Sequence, residues 1–255
     1  MATRPSGEQL EIRTGPQRAH VVEVGGGVRE YSVGDRPVLD PYPIDAMCGG
    51  AHGVPLIPWP NRLADGAYRL DGTDYGAALT GPGKHNAIHG FLRWRPWQAL
   101  EHEASRVVMG TRLHPLPGYP FPVDVRVAYE LGDSGVTVAT TAANRGNQAC
   151  SCGAGQRPYL PPGGGRIDDC TLELGAATRI RTDNERQLPV ATAPVEQTNF
   201  DFRAGQRLDT PFTDLARDDQ GRAWGRLAAA DGSRAKLWGH AEPLRAAVSG
   251  WEPGR

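Results

Sequence analysis

Val-Asp-Val-Arg-Val-Ala-Tyr-Glu-Leu, residues 123–131, alternates between apolar and more polar side chains. Residues two apart on a strand point to the same face. Val123, Val125, Val127, Tyr129 and Leu131 therefore predict a buried face, and Asp124, Arg126, Ala128 and Glu130 a more polar one. Gly132-Asp133-Ser134-Gly135 follows as a turn, and then Val-Thr-Val-Ala-Thr-Thr-Ala-Ala-Asn, rich in β-branched residues. The whole reads as a hairpin.

Working outward, strands are predicted at Leu10–Arg13, His20–Val24, Val28–Val33, Arg106–Leu113, Thr171–Leu174, Thr178–Arg181, Ala235–Trp238 and Leu244–Val248, with turn residues between many of them. No segment of helical length carries a clean apolar stripe. The 33 glycines and 22 prolines, over a fifth of the 255 residues, also disfavour long helices. The expectation is an all-β sandwich or barrel of antiparallel strands. With no internal repeat and no low-complexity linker, residues 1–255 read as a single domain.

Charge narrows the partners. The 28 basic and 29 acidic residues nearly cancel, and no long basic run offers a surface for nucleic-acid phosphates. No apolar run approaches the roughly 20 residues of a membrane helix. The amino-terminal stretch lacks the apolar core of a signal peptide, so a soluble cytoplasmic protein is expected. Arginine carries nearly all the positive charge, Lys84 and Lys236 being the only lysines, which leaves few candidates for Schiff-base chemistry. Cys48, Cys150, Cys152 and Cys170 match no common zinc spacing and are expected to be buried thiols without disulfides.

Two long Pro/Gly-rich stretches, 34–66 and 76–97, hold Trp59, Trp94, Trp97, His52, His85 and His89. Long irregular loops in a compact fold often carry function. Trp59 lies between Pro58 and Pro60, which stiffen the backbone. Its ring could stack on the apolar face of a sugar, with Arg62 donating to the hydroxyls, or it could simply pack the loop. His85 and His89 lack the third ligand a metal site requires. A neutral imidazole beside a polyol is the better reading. The phosphate-loop pattern fails because Ala78 stands where glycine is needed, and no Gly-x-Ser-x-Gly elbow occurs.

Taken in order, Pro-Leu-Ile-Pro-Trp-Pro-Asn-Arg-Leu-Ala-Asp-Gly (55–66), Asn-Ala-Ile-His-Gly-Phe (86–91), Leu-Pro-Gly-Tyr-Pro-Phe-Pro-Val (116–123), Gly-Ala-Gly-Gln-Arg-Pro-Tyr-Leu (153–160), Asp-Asn-Glu-Arg-Gln-Leu-Pro-Val (183–190) and Leu-Asp-Thr-Pro-Phe-Thr-Asp-Leu (208–215) resemble the aldose 1-epimerase (galactose mutarotase) family over most of the chain. The resemblance implies a large twisted antiparallel β-sandwich that binds a monosaccharide, an aldohexose, and interconverts its α and β anomers without a cofactor or metal. It implies a base that takes the proton of the anomeric hydroxyl and an acid that protonates the ring oxygen. In the family the base is a carboxy-terminal glutamate and the acid is a histidine preceding Pro-Tyr.

Carried over, Arg62, His89 and Asp209 match the residues that hold hydroxyls, with Asp214 as the alternative aspartate. Two departures follow. Arg157 stands at the acid position, and arginine keeps its proton, with a pKa above about 12. The catalytic base has no clear counterpart: Glu252-Pro253 imitates its motif at too short a spacing, and Glu242-Pro243 fits no better. The expectation is a chain lacking its last strand or strands, less stable for the exposed sheet edge, with impaired catalysis. The alternatives are a sugar-binding member without catalysis, or a truncated remnant. Arg157 or Arg93 could also hold a phosphate, if the sugar carries one.

Overall fold

A computed structural model describes residues 4–161, 166–198, 200–205 and 207–240. They divide into two compact units, meeting in sequence between Tyr159 and Leu160. The expected strand Leu244–Val248 and both Glu-Pro motifs lie outside the described residues.

The amino-terminal unit is built on two antiparallel four-stranded meanders. The first runs through Gln9–Thr14, Gln17–Val22, Val28–Val33 and Arg36–Leu39. The second runs through Gln98–His102, Arg106–Leu113, Val123–Gly132 and Gly135–Asn144. The hairpin read from residues 123–144 is present, with Val123 opposite Asn144 and Gly132 opposite Gly135. The five apolar residues of its first strand are all buried, and Arg126 and Glu130 are exposed. The two sheets share one core: Leu10, Ile12 and Val21 of the first pack in the same cluster as Met109, Val125 and Tyr129 of the second. Alternation puts apolar side chains on one face of each sheet, and burying those two faces together is what makes a sandwich. Tyr129 is wholly buried, and its hydroxyl donates to the Gly26 carbonyl at 2.7 Å, so the polar tip is satisfied inside the core.

The second unit is also β-rich. Cys170–Leu174, Arg222–Ala229 and Arg234–His240 form one antiparallel sheet, and Ala176–Thr182 is flanked by Pro189–Pro194 and Phe212–Leu215 in another. All helical turns among the described residues are short 3₁₀ pieces. All four cysteines are free thiols; Cys48 and Cys170 are buried, and Cys150 and Cys152 half-buried.

The stretches 34–66 and 76–97 are less irregular than expected. Arg62–Ala64 pairs with Asn86–Ile88, and Pro55–Leu56 pairs with Gly155–Gln156. Gly53 joins these loops to the first sheet. Its carbonyl accepts from the Val28 N–H at 3.0 Å, and its own N–H donates to the Arg157 carbonyl at 2.9 Å. Gly53 has a φ of +69°, and a Cβ there would meet the Val28 carbonyl oxygen at 2.0 Å. Only glycine fits both the conformation and the approach.

Gly53→Ala should therefore lower stability by about 2–5 kcal/mol, combining strained φ with backbone collision. Gly15 also has a positive φ, +52°, but no atom lies within 4 Å of its would-be Cβ. Gly15→Ala should cost only about 1 kcal/mol. Denaturant unfolding of the two variants compares them; equal losses would contradict the close-approach account.

Candidate functional site

Two hydrogen bonds tie the Asn-Arg segment to the His-Gly segment. The His89 N–H donates to the Asn61 carbonyl at 2.9 Å, and the Asn61 N–H donates to His89 Nδ1 at 3.0 Å. Both residues have positive φ, +61° and +62°. That conformation costs energy for non-glycine residues and persists only where surrounding bonds over-determine it, often at functional sites. Arg62 opens the adjoining strand, and its Nη1 donates to Asn61 Oδ1 at 3.0 Å. Because Nδ1 accepts the Asn61 N–H, a neutral His89 carries its proton on Nε2.

Nε2 faces Arg157. Arg157 Nη1 lies 3.4 Å from His89 Nε2, so two donor nitrogens stand side by side. Arg157 is exposed, while His89 is buried. The guanidinium is steadied by Tyr159, whose hydroxyl accepts from Arg157 Nε at 3.2 Å. The Tyr159 ring stacks on His52, with centroids 4.1 Å apart and planes 12° from parallel. The His52 Nε2–H donates to the Asp40 carbonyl, which fixes that ring in turn. The backbone of this segment is held by the Gly53 N–H on the Arg157 carbonyl and by the Asp40 N–H on the Tyr159 carbonyl.

The surroundings of His89 are positive. Its pKa is pushed down to about 4, first by burial and then by Arg157, Arg93 and Arg62, with no group raising it. At neutral pH it is an uncharged imidazole presenting Nε2–H. Arg93 is buried as well, with its Cζ 3.9 Å from the centroid of the half-exposed Trp94 ring. Chemically this is a set of donors: three guanidiniums and one imidazole N–H. Such a set can bind oxygens and stabilise developing negative charge, but Arg157 does not release a proton near neutral pH.

Trp59 takes the second of its two readings and packs the loop. It is 7% exposed, packed edge-to-face on Phe91 at 4.8 Å beside Leu63 and Ala87. An indole gains more from burying its large apolar ring than a stiff loop gains by displaying it. Its Nε1 is buried without a partner. His85 is exposed and His89 buried, and among the described residues no group of three or more His, Cys, Asp or Glu is arranged to hold a metal.

Asp209 and Asp214 belong to the second unit. Asp209 is exposed and accepts from Gln187 Nε2 at 3.3 Å, and Asp214 is exposed with a φ of +53°. Sequence reasoning missed Asn61, Tyr159 and His52 as the groups that hold His89 and Arg157. The available signal was Asn61 beside Arg62, since asparagine tolerates positive φ better than most residues.

A family model described as aldose 1-epimerase matches residues 8–253. Among curated relatives, an uncharacterised Escherichia coli (strain K12) protein, YihR, is 31% identical over 204 residues, covering 80% of this chain and 66% of that protein. The galactose mutarotase of Homo sapiens is 29% identical over 167 residues, covering 61% of this chain and 46% of that enzyme. The chain thus spans less than two thirds of either relative. Among solved structures, a galactose mutarotase-like protein from Clostridium acetobutylicum aligns with a TM-score of 0.74 at 17% identity, over 88% of this chain and 75% of that one. An aldose epimerase homologue from C. elegans aligns at 0.73 and 16%, over 88% and 76%. At such identities the structural likeness speaks for the fold, a β-sandwich. The family match runs from the first strand through both units, and the chain belongs to the aldose 1-epimerase family.

Proposed function

We propose that this chain binds a free aldose around His89 and Arg157 and interconverts its α and β anomers by ring opening, at a rate limited by Arg157. Family membership supports the reaction class, and the name of the human relative supports a hexose. The observation that carries the reading is the pair of donors 3.4 Å apart, His89 Nε2–H and Arg157 Nη1. Opening a pyranose requires a base to take the anomeric hydroxyl proton while the ring oxygen gains one. In this reading Arg157 donates a hydrogen bond to the ring oxygen and stabilises charge developing there. It keeps its own proton, so water must complete the transfer. His89 and Arg62 hold hydroxyls. The family's glutamate base has no clear counterpart in the sequence.

Lacking a titrating acid costs a proton-transfer step about 10²- to 10⁴-fold. The same donors favour a second reading, a sugar-binding member without catalysis, because binding needs no group that titrates near neutrality.

NMR exchange spectroscopy of glucose and galactose anomers tests this. Wild-type chain should accelerate exchange weakly, and Arg157→His should raise the rate at least about tenfold by restoring a group able to give and take a proton. Ligand line broadening without acceleration, in wild type and variant alike, would replace the catalytic reading with the binding one. Neither acceleration nor broadening would overturn both.

A further inference from the structure

We propose that the Tyr159 hydroxyl is a catalytic group of this chain, giving its proton to the ring oxygen as the aldose opens and taking it back on closure. This rests on the anomer-exchange reading above. It assigns to a side chain the proton that Arg157 keeps and that water would otherwise supply.

The donor pair itself has no proton to lend. A guanidinium is a donor only. His89 Nδ1 accepts from the Asn61 N–H, so the uncharged imidazole presents Nε2–H, which binds an oxygen without releasing a proton near neutrality. The next group outward is a phenol. The half-buried Tyr159 accepts from Arg157 Nε at 3.2 Å, which turns its own O–H elsewhere. Among the described residues that O–H meets the Gly50 carbonyl at 3.4 Å, long for a bond between two oxygens. A substrate oxygen competes well against so stretched a bond. A Cβ on Gly50 would lie 3.1 Å from the Tyr159 hydroxyl oxygen, so glycine there leaves the phenol uncrowded.

A phenol can both give and take a proton, as acid–base catalysis requires. The Arg157 charge favours the phenolate that forms, and Arg157 Cζ lies 5.6 Å from the Tyr159 ring centroid. The ring is also held in place. His52, on which it stacks, meets the buried Tyr42 ring edge-on at 5.5 Å, so three rings in a row tie the phenol to a small core cluster. Among the described residues, Arg157 and His52 are the charged or titratable side chains set against the phenol, and Asp40 is bonded to Tyr159 through the main chain.

In opening, water takes the proton of the anomeric hydroxyl, and the electron pair of that O–H bond becomes the second bond of the carbonyl. The bond from the anomeric carbon to the ring oxygen breaks with its pair left on that oxygen, which takes the Tyr159 proton. Closure on the other face of the aldehyde runs the steps backwards. The sugar hydroxyl returns its proton to the phenolate as its oxygen attacks the carbonyl carbon, and the carbonyl oxygen regains a proton from the hydronium. No acid is consumed.

NMR exchange spectroscopy of glucose and galactose anomers with the full chain tests this. Tyr159→Phe keeps the stacked ring and removes only the hydroxyl. It should lower kcat at least about tenfold and leave KM nearly unchanged. Most of that loss should vanish in the Arg157→His background, where an imidazole supplies the proton. Wild-type kcat should fall at alkaline pH as the phenol ionises, and Tyr159→Phe should lack that fall. Should Tyr159→Phe fail to fold, the alkaline fall in wild type still decides.

An unchanged kcat in Tyr159→Phe, a loss through KM alone, or a wild-type kcat that holds in alkali would overturn this inference and leave the proposed function standing. An equal loss in both backgrounds would reduce Tyr159 to a positioning residue and overturn it too. If wild type accelerates neither sugar, the functional reading falls and takes this inference with it.

Discussion

Gly53 is the joint on which the candidate site depends. Its carbonyl is bonded to Val28 at the start of a core strand, and its N–H is bonded to the carbonyl of Arg157. The sandwich core thereby fixes the backbone that carries the guanidinium, through two main-chain bonds and no flexible side chain. A Cβ on Gly27 would lie 2.5 Å from the Gly53 carbonyl oxygen, so the neighbouring triple-glycine run permits the same close approach. His89 is fixed by a parallel device, the reciprocal bonds with Asn61 that hold both residues at positive φ. The backbones of both residues of the donor pair are thus placed by main-chain hydrogen bonds.

The chemistry follows from which groups titrate. An acid–base catalyst works best with a pKa near the operating pH. His89 is driven below that range by burial and by the arginines around it, and a guanidinium is a donor only. In the proposed reading a permanent cation stands where a titrating acid would serve. Proton delivery weakens, while attraction for oxygens, and for anionic oxygens most of all, is strengthened.

The hairpin over residues 123–144 was legible because alternation is a direct consequence of strand geometry, and six of the eight strands of the first unit's two four-stranded sheets formed where apolar runs and turns predicted them, Arg36–Leu39 and Gln98–His102 being the two that were not predicted. Arg62, His89 and Arg157 were legible as members of ordered motifs, and folding brings them together within the first unit. Trp59 stayed ambiguous because two flanking prolines say that a loop is stiff without saying which way its ring points. The Asn61–His89 clamp and the Tyr159–His52 stack were invisible because each joins residues far apart in sequence through a backbone shape that composition does not encode.

At neutral pH His89 stands uncharged, presenting Nε2–H to a field of arginines. A pH titration followed by ¹⁵N-resolved NMR of the His89 imidazole tests it most directly. The expected result is the Nε2–H tautomer, unchanged from pH 8 down to pH 5, with protonation only near the depressed pKa of about 4. An imidazole that titrates near the ordinary value of about 6.5, or that carries its proton on Nδ1, would contradict it.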